Sequence, residues 1–318
     1  TYVNSLYGPK QSLKVDLNKY RKGQSLGGVH TLNLVNAIPD DSYLHDAMAQ
    51  RLFRELGVIA PRTSYAYVTV DVPGVMPDRA LGLYVLIENL DADFAQDRWG
   101  TKAVPIFKPV TPQLFKDLGA TWKDYADIYD LKTVASPAQL QRVVDFAKLV
   151  TSADDATFAA RLPEFLDLES FAGFLAGHVL TSSYDGFLSN GQNLYLYLDP
   201  RSNRFGFIPW DQDHGWGEFR YVGSVEGRER ASIWRPCTYE HRFLTRVLKV
   251  EAFRTIYRGK LATALDTLFT VPRLYAQVDE LAVLIRPAVA AESEFRLRRF
   301  DTSVRTNWVG VPLHGPPE

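Results

Sequence analysis

The most constraining feature of this 318-residue sequence is a pair of short apolar segments joined by a turn. Residues 193–198 (NLYLYL) and 204–209 (RFGFIP) are rich in residues that favour β-strands. Residues 199–203 (DPRSN) between them have the composition of a turn. The pattern predicts an antiparallel hairpin, in which the residues before the first strand lie beside the residues after the second.

That shared end of the hairpin should collect acidic and amide side chains: Asp185, Asn190, Asn193, Asp211 and Asp213. Crowded carboxylates raise one another's pKa unless a cation lies among them. Carboxylate and amide oxygens suit Mg²⁺ or Mn²⁺, and the sequence has no His/Cys cluster with the spacing of a zinc site. The sequence therefore predicts a Mg²⁺ or Mn²⁺ site here.

The spacing of these residues is also that of protein-kinase catalytic machinery. In kinases an Asp orients the acceptor hydroxyl, an Asn five residues later binds metal, and a further Asp beyond a short hairpin binds metal too. Asp185 and Asn190 have the same five-residue step, and Asp211 and Asp213 follow the hairpin. The alternative interpretation is that these are turn and capping residues, because Asp and Asn often have that role.

The remainder of the chain predicts an α+β fold in which strands precede helices. An N-terminal part, residues 1–110, should be a mixed sheet with one helix that ends at Gly57, and residues 111–318 should be mainly helical and carry the hairpin. The tail from Arg298 to Glu318 is predicted to be irregular. Predicted strands lie near residues 12–19, 32–35, 63–70, 81–87 and 105–108, and later helices near 137–150, 154–161, 167–181, 250–269 and 273–297.

Composition narrows the function classes. The net charge of −1 and the absence of a long basic run argue against a nucleic-acid partner. No apolar stretch approaches the roughly 18 residues that a membrane span needs. The single cysteine, Cys237, excludes an internal disulfide and is interpreted as having a structural or incidental role. Because the chain begins at Thr1, we expect a processed or excised domain, with any signal peptide upstream.

The hairpin motif resembles that of the CotH family of atypical protein kinases, which is named for a spore-coat protein. The resemblance extends from about residue 12 to 217 and implies a divergent, bilobal kinase-like fold with ATP between the lobes. Its motifs are Asp185-Gly186, Asn190, Asn193, residues 207–213 (FIPWDQD), 32–34 (LNL), 51–57 (RLFRELG), 60–65 (APRTSY), 82–88 (GLYVLIE) and 106–109 (IFKP).

The resemblance also implies roles for single residues. Asp185 would be the catalytic aspartate, and Asp213 or Asp211, with Asp213 preferred, would bind metal together with Asn190 and Asn193. Candidates for nucleotide binding are Glu88 and Lys108 as a charged pair that positions phosphates, Lys14 as a phosphate contact, and Trp210 or Tyr84 as an adenine platform. The alternatives are a surface salt bridge for Glu88, solvated side chains for both lysines, and core packing for the two aromatic residues.

One segment departs from the family pattern. His30 and Thr31 stand directly before residues 32–34, where family members often carry a lysine. If that lysine grips phosphate, its role here moves to Lys14 or Lys108, or activity is lost. His214 either touches phosphate or has a capping or packing role.

The leading functional hypothesis is Mg²⁺- or Mn²⁺-dependent phosphoryl transfer from ATP to Ser or Thr of a protein. A second hypothesis is another ATP-dependent transfer on the same fold, either nucleotidyl transfer or carboxylate activation for peptide modification. A third is a catalytically weak interaction module at the cell surface. The family resemblance implies a secreted, cell-surface or spore location.

Overall fold

The computed structural model of the chain describes residues 10–219 and 221–306. These residues form two compact units. The sheet unit comprises the described residues of Thr1–Gln50, Arg62–Asn89 and Thr270–Glu318, and the hairpin unit those of Arg51–Pro61 and Leu90–Phe269. The predicted lobe boundary near residue 110 stays a prediction.

The described residues form α-helices and two antiparallel sheets, so the predicted α+β class is confirmed. The strands are β1 Leu13–Asp16, β2 Thr31–Val35, β3 Thr63–Val72, β4 Met76–Glu88, β5 Ile106–Phe107, β6 Leu194–Leu198 and β7 Phe205–Pro209. The helices are α1 His45–Glu55, α2 Ala92–Trp99, α3 Ala126–Tyr129, α4 Pro137–Ser152, α5 Asp155–Phe165, α6 Leu168–Leu180, α7 Val225–Glu229, α8 Arg242–Val247, α9 Glu251–Thr263, α10 Val271–Glu292 and α11 Glu294–Arg305.

In the sheet unit the strand order is β1-β2-β4-β3, and every neighbouring pair is antiparallel. Before α1, the Asp40 carboxylate accepts hydrogen bonds from the backbone N–H groups of Ser42 (2.9 Å) and His45 (2.8 Å), which orders the approach to the helix. Gly57, with φ of +84°, follows the end of α1 as predicted.

The two C-terminal helices also belong to the sheet unit. The Glu292 carboxylate accepts hydrogen bonds from Lys10 Nζ (2.8 Å) and from the backbone N–H of Leu83 (3.0 Å). Arg299 donates two hydrogen bonds, of 2.8 and 2.6 Å, to the buried carboxylate of Asp41. Side chains of α10 and α11 therefore contact residues from the N-terminal part of the sheet unit, namely Lys10, Asp41 and Leu83.

Two sequence predictions for this C-terminal region are wrong. The predicted helix 273–297 is two helices, because Ser293 is extended and its hydroxyl accepts the backbone N–H of Arg296 as the cap of α11. The predicted irregular tail from Arg298 is helical as far as Arg305. Residues 307–318 lie outside the described residues.

The hairpin unit contains the sheet β5-β6-β7, in which Leu194 pairs with Pro209 and Leu198 with Phe205. The predicted hairpin is thus confirmed within one residue at each strand start. Its inner residue Phe207 packs against a group of buried rings, Phe171, Phe174, Phe187 and Phe243, with ring centres 4.6 to 6.0 Å away. Burial of this aromatic cluster fixes the hairpin relative to α6 and α8.

His178 on α6 lies inside the same cluster. Its ring is fully buried, 4.4 Å from the ring centre of Phe174 and 5.0 Å from that of Phe53. Neither ring nitrogen has a hydrogen-bond partner among the described residues. Burial lowers the pKa of His178 to about 3, so the imidazole is neutral at physiological pH.

We expect acidification from pH 7 to pH 5 to destabilise the fold through this histidine. The unfolded chain takes up a proton at a pKa of about 6.5, whereas folded His178 stays neutral until the pH approaches 3. At pH 5 this difference should remove about 2 kcal/mol from the free energy of unfolding. Urea unfolding at both pH values measures the loss.

The variant His178→Leu should abolish that share of the pH-dependent loss. Phe174→Leu is the matched control, because it perturbs the same cluster without removing a titratable group. It should lower stability equally at both pH values. An unchanged pH dependence in His178→Leu would contradict the expectation.

Candidate active site

Asp185 lies in the turn that connects α6 to β6. Two residues later, Phe187 is fully buried, with its ring 5.3 Å from that of Phe174 and 6.0 Å from that of Phe171. The aromatic core therefore anchors the turn, while the side chain of Asp185 remains partly accessible.

The Asp185 carboxylate accepts hydrogen bonds from three side-chain amides. Asn190 Nδ2 and Gln192 Nε2 donate to Oδ1 at 2.9 and 3.0 Å, and Asn193 Nδ2 approaches Oδ2 at 3.4 Å. Asn193 also donates to the backbone carbonyl of Asp185 at 2.6 Å. These bonds fix the plane of the carboxylate.

The sequence prediction gathered Asp185, Asn190 and Asn193 correctly but missed Gln192. The one feature of the sequence that could have indicated Gln192 is its position between Asn190 and Asn193, immediately before the strand. A glutamine in a turn has no special propensity, so only the folded turn identifies its partner.

The segment after β7 lies beside this turn, as the hairpin predicts. The backbone N–H of Trp210 donates to the carbonyl of Asn193 at 3.1 Å, and that of Trp216 donates to the carbonyl of Thr181 at 2.6 Å. Asn193 and Asp211 both have left-handed backbones, with φ of +58° and +54°. Such conformations cost energy in non-glycine residues and often accompany functional sites.

Gly191 shows why the turn has this path. Its φ is +71°, and a Cβ atom there would lie 2.0 Å from the carbonyl oxygen of Thr111. The Thr111 N–H also donates to the Gly191 carbonyl at 3.1 Å. Only glycine fits this backbone crossing, which determines where Asn190 and Gln192 lie.

Asp213 is almost fully buried, and Asp211 is half-buried. Beside Asp213, His214 Nδ1 lies 2.5 Å from Oε2 of the buried Glu218. Burial alone would lower the pKa of His214, but the Glu218 hydrogen bond and the charges of Asp213, Glu218 and Asp185 outweigh it and raise that pKa to about 9. The imidazole is therefore cationic at pH 7 and donates to Glu218. The sequence prediction did not identify Glu218 as its partner.

Arg228 on α7 orders the segment that follows His214. Its guanidinium donates to the carbonyls of Val222 (2.9 Å), Gly223 (3.0 Å) and Gly217 (3.2 Å). Most of this side chain is buried. The sequence does not predict this contact, because Arg228 is one of several arginines in a polar segment and nothing distinguishes it from the others.

Lys108 lies at the same end of the sheet as the acidic residues. Phe107 pairs with Leu196, which places Lys108 beside Tyr195, and Lys108 Nζ is 5.5 Å from the centre of that ring. The Tyr195 ring is 5.3 Å from that of Trp210. Burial, followed by the charges of Asp130 and Asp211, raises the pKa of Tyr195.

Other predicted nucleotide contacts have more ordinary surroundings. Trp210 is partly buried and packs against an apolar cluster, and Tyr84 is fully buried in the sheet unit, so core packing is favoured for both. Glu88, also in the sheet unit, forms an ion pair with Arg62 at 2.6 Å. Lys14 is exposed on β1. Roles for these four residues in binding a nucleotide stay predictions.

Comparison with known proteins decides the family. A family profile described as "CotH kinase protein" matches residues 4–307. The chain belongs to the CotH family. The resemblance inferred from the hairpin motif is thereby confirmed.

Two curated proteins of Bacillus subtilis (strain 168) are similar to this CotH chain. Inner spore coat protein H is 25% identical over 280 residues, which cover 86% of this chain and 73% of that protein. Inner spore coat protein H-like protein is 23% identical over 286 residues, which cover 88% of this chain and 78% of that protein.

The donor set that the sequence predicts at the hairpin end of this CotH chain consists of oxygen atoms only. Asn190 and Asn193 direct their amide nitrogens at Asp185, and the amide oxygen of Asn190 accepts the backbone N–H of Gln192 at 3.3 Å. Oxygen-only donors of this kind suit Mg²⁺ or Mn²⁺. Within residues 10–219 and 221–306, no group of three or more His, Cys, Asp or Glu side chains is arranged so that it could hold a metal ion.

In the same described ranges, no helix of the CotH chain is long and apolar enough to cross a membrane. The longest, α10, has 22 residues and carries charged side chains along its length.

Proposed function

We propose that this CotH chain transfers the γ-phosphoryl group of ATP to a Ser or Thr hydroxyl of a protein, with Mg²⁺ or Mn²⁺. The observation that carries the proposal is the Asp185 carboxylate, which is held by three amides at the hairpin end that also bears Asp211 and Asp213. The family profile supports the proposal through its description as a kinase.

In this mechanism Asp185 orients the acceptor hydroxyl and takes up its proton. The acceptor oxygen forms a bond to the γ-phosphorus, the bond from that phosphorus to the β–γ bridging oxygen breaks, and ADP leaves. Asn190, Gln192 and Asn193 hold the carboxylate plane, so that little reorientation is needed during transfer.

Asp213 and Asp211, with the amide oxygens of Asn190 and Asn193, would hold the cation. When bound, Mg²⁺ or Mn²⁺ supplies positive charge to the phosphate oxygens. Lys108, whose Nζ lies 5.5 Å from the centre of the Tyr195 ring, is the residue of the hairpin unit for which a phosphate contact is proposed, and it would take the role of the lysine that is replaced at His30 and Thr31.

The names of the two relatives support a spore-associated location, which we carry to this chain as a proposal. The departure from the family pattern at His30 and Thr31 favours a second candidate function, a catalytically weak interaction module. Nucleotidyl transfer would use the same residues with attack on the α-phosphorus and loss of pyrophosphate, and carboxylate activation would replace the acceptor hydroxyl with a carboxylate oxygen.

The test uses purified protein, Mg²⁺ or Mn²⁺, a Ser/Thr-rich generic acceptor and ATP labelled separately at the α- and γ-phosphates. We expect γ-label on acceptor Ser or Thr, lost with EDTA and in Asp185→Ala. Asp145→Asn is the matched control, because Asp145 is exposed on α4 and accepts a hydrogen bond from Gln141 there, and it should keep activity.

Transfer of α-label would replace the proposal with nucleotidyl transfer. If neither label is transferred and calorimetry detects no metal-dependent ATP binding, the interaction module replaces it. Metal-dependent ATP binding without transfer would indicate that the generic acceptor is unsuitable. Transfer of γ-label to the CotH chain itself is then the measurement that decides.

A further inference from the structure

The strand β1 is the edge of the sheet in the sheet unit. Within the described parts of the chain it pairs with β2 alone. The backbone N–H of Leu17 donates to the carbonyl of His30 at 2.9 Å, just beyond that pairing. Because bonding alternates along an antiparallel pair, the backbone groups of Lys14 and Asp16 point away from β2. Both residues are exposed.

The segment formed by β1, β2 and the loop between them carries a local excess of positive charge. Residues 13–35 contain four cations, Lys14, Lys19, Arg21 and Lys22, against one carboxylate, Asp16, in a chain whose net charge is −1. All four cationic side chains are exposed. Clustered charge of this kind attracts a partner of opposite sign and speeds its association.

Apolar groups accompany these charges at the surface. Tyr20 is 92% exposed and Leu26 63% exposed. Lys19 Nζ lies 5.5 Å from the centre of the Tyr20 ring, so cation and aromatic face form one patch. At Gly27 and Gly28 no atom lies within 4 Å of where a Cβ would be, which leaves the backbone of the loop open to a ligand.

We propose that β1 and the loop of residues 17–30, together called the basic edge, dock an extended acidic peptide as an added strand. The outward backbone groups of Lys14 and Asp16 would pair with the peptide, and the four cations would select acidic side chains. The open strand edge favours a peptide over an anionic membrane, because lipid headgroups cannot continue a strand ladder. The proposal does not rest on catalysis, since docking precedes and is separable from phosphoryl transfer.

The test measures fluorescence anisotropy of a labelled nine-residue peptide of alternating Glu and Val, added to the full chain. We expect saturable binding that weakens at least 10-fold in the triple variant Lys19→Glu, Arg21→Glu, Lys22→Glu. The matched control is Lys116→Glu, Lys123→Glu, Lys148→Glu, which changes the net charge equally at exposed positions of the hairpin unit. It should bind within twofold of the parent, and thermal melts should show that both variants are folded.

A second peptide of the same sequence, N-methylated at alternate residues, separates strand addition from charge attraction. We expect N-methylation to weaken binding at least 10-fold without a change in charge, because methylated amides cannot donate to the edge of β1. Equal binding of both peptides, or equal loss in the control triple variant, would overturn the proposal. So would absent peptide binding with retained binding to phosphatidylserine vesicles, which would identify a membrane surface instead.

Discussion

Asp185→Asn should lower the rate of γ-phosphoryl transfer by about 10²- to 10⁴-fold, the range typical for removal of a general base. The amide cannot take up the acceptor's proton. Its nitrogen would also face Asn190 and Gln192, which both donate to Oδ1. Steady-state transfer of γ-label measures the effect. Calorimetry should find metal-dependent ATP binding within a few-fold of the parent.

The control for this variant is Asp145→Asn, which makes the same chemical change at an exposed position on α4. Thermal melts should place both variants within about 1 kcal/mol of the parent, because Asp185 is only partly buried. A transfer rate within threefold of the parent in Asp185→Asn would remove Asp185 from the chemical step. Loss of ATP binding would instead assign it to the nucleotide site.

Gly191→Ala should destabilise the chain by about 2–5 kcal/mol and reduce transfer by about 10²-fold. An alanine at φ of +71° costs about 1–2 kcal/mol, and backbone must move to relieve a Cβ 2.0 Å from the Thr111 carbonyl oxygen. The displaced turn carries Asn190 and Gln192, and small misplacements of a reacting group are costly. Denaturant unfolding and the transfer assay measure the two effects.

Gly100→Ala separates backbone strain from the crossing at Thr111. Gly100 has a nearly identical φ of +73°, at the end of α2, but no atom lies within 4 Å of where its Cβ would be. This control should cost only about 1–2 kcal/mol and leave the transfer rate unchanged. Equal costs in the two variants would show that the contact with Thr111 does not determine the path of the turn.

Local sequence patterns predicted the parts of the site that a hairpin brings together. Strand formers on both sides of residues 199–203 fixed the register, and the register placed Asp185 and Asn193 beside the segment that begins at Trp210. Gly57 likewise marked the end of α1, because its conformation is encoded in one residue.

The remaining features depend on contacts between residues that are distant in sequence or have no distinctive local pattern. Gln192, Glu218 and Arg228 are recognisable only once their partners are folded around them. The division between α10 and α11 at Ser293 was missed because the apolar periodicity continues through it, and the helix α2 was missed because it is short.

The sheet unit, which is built from both ends of the chain, should also affect folding during synthesis. The hydrogen bond of Leu83 to Glu292 cannot form until a residue 209 positions later has been synthesised, and that of Lys10 to Glu292 spans 282 positions. At 5–20 residues per second the ribosome needs roughly 10–40 s to make the chain between Leu83 and Glu292. The hairpin unit is fully synthesised before that moment. We therefore expect the strands that are made first to finish folding last, which gives chaperones a defined interval in which to bind the nascent sheet.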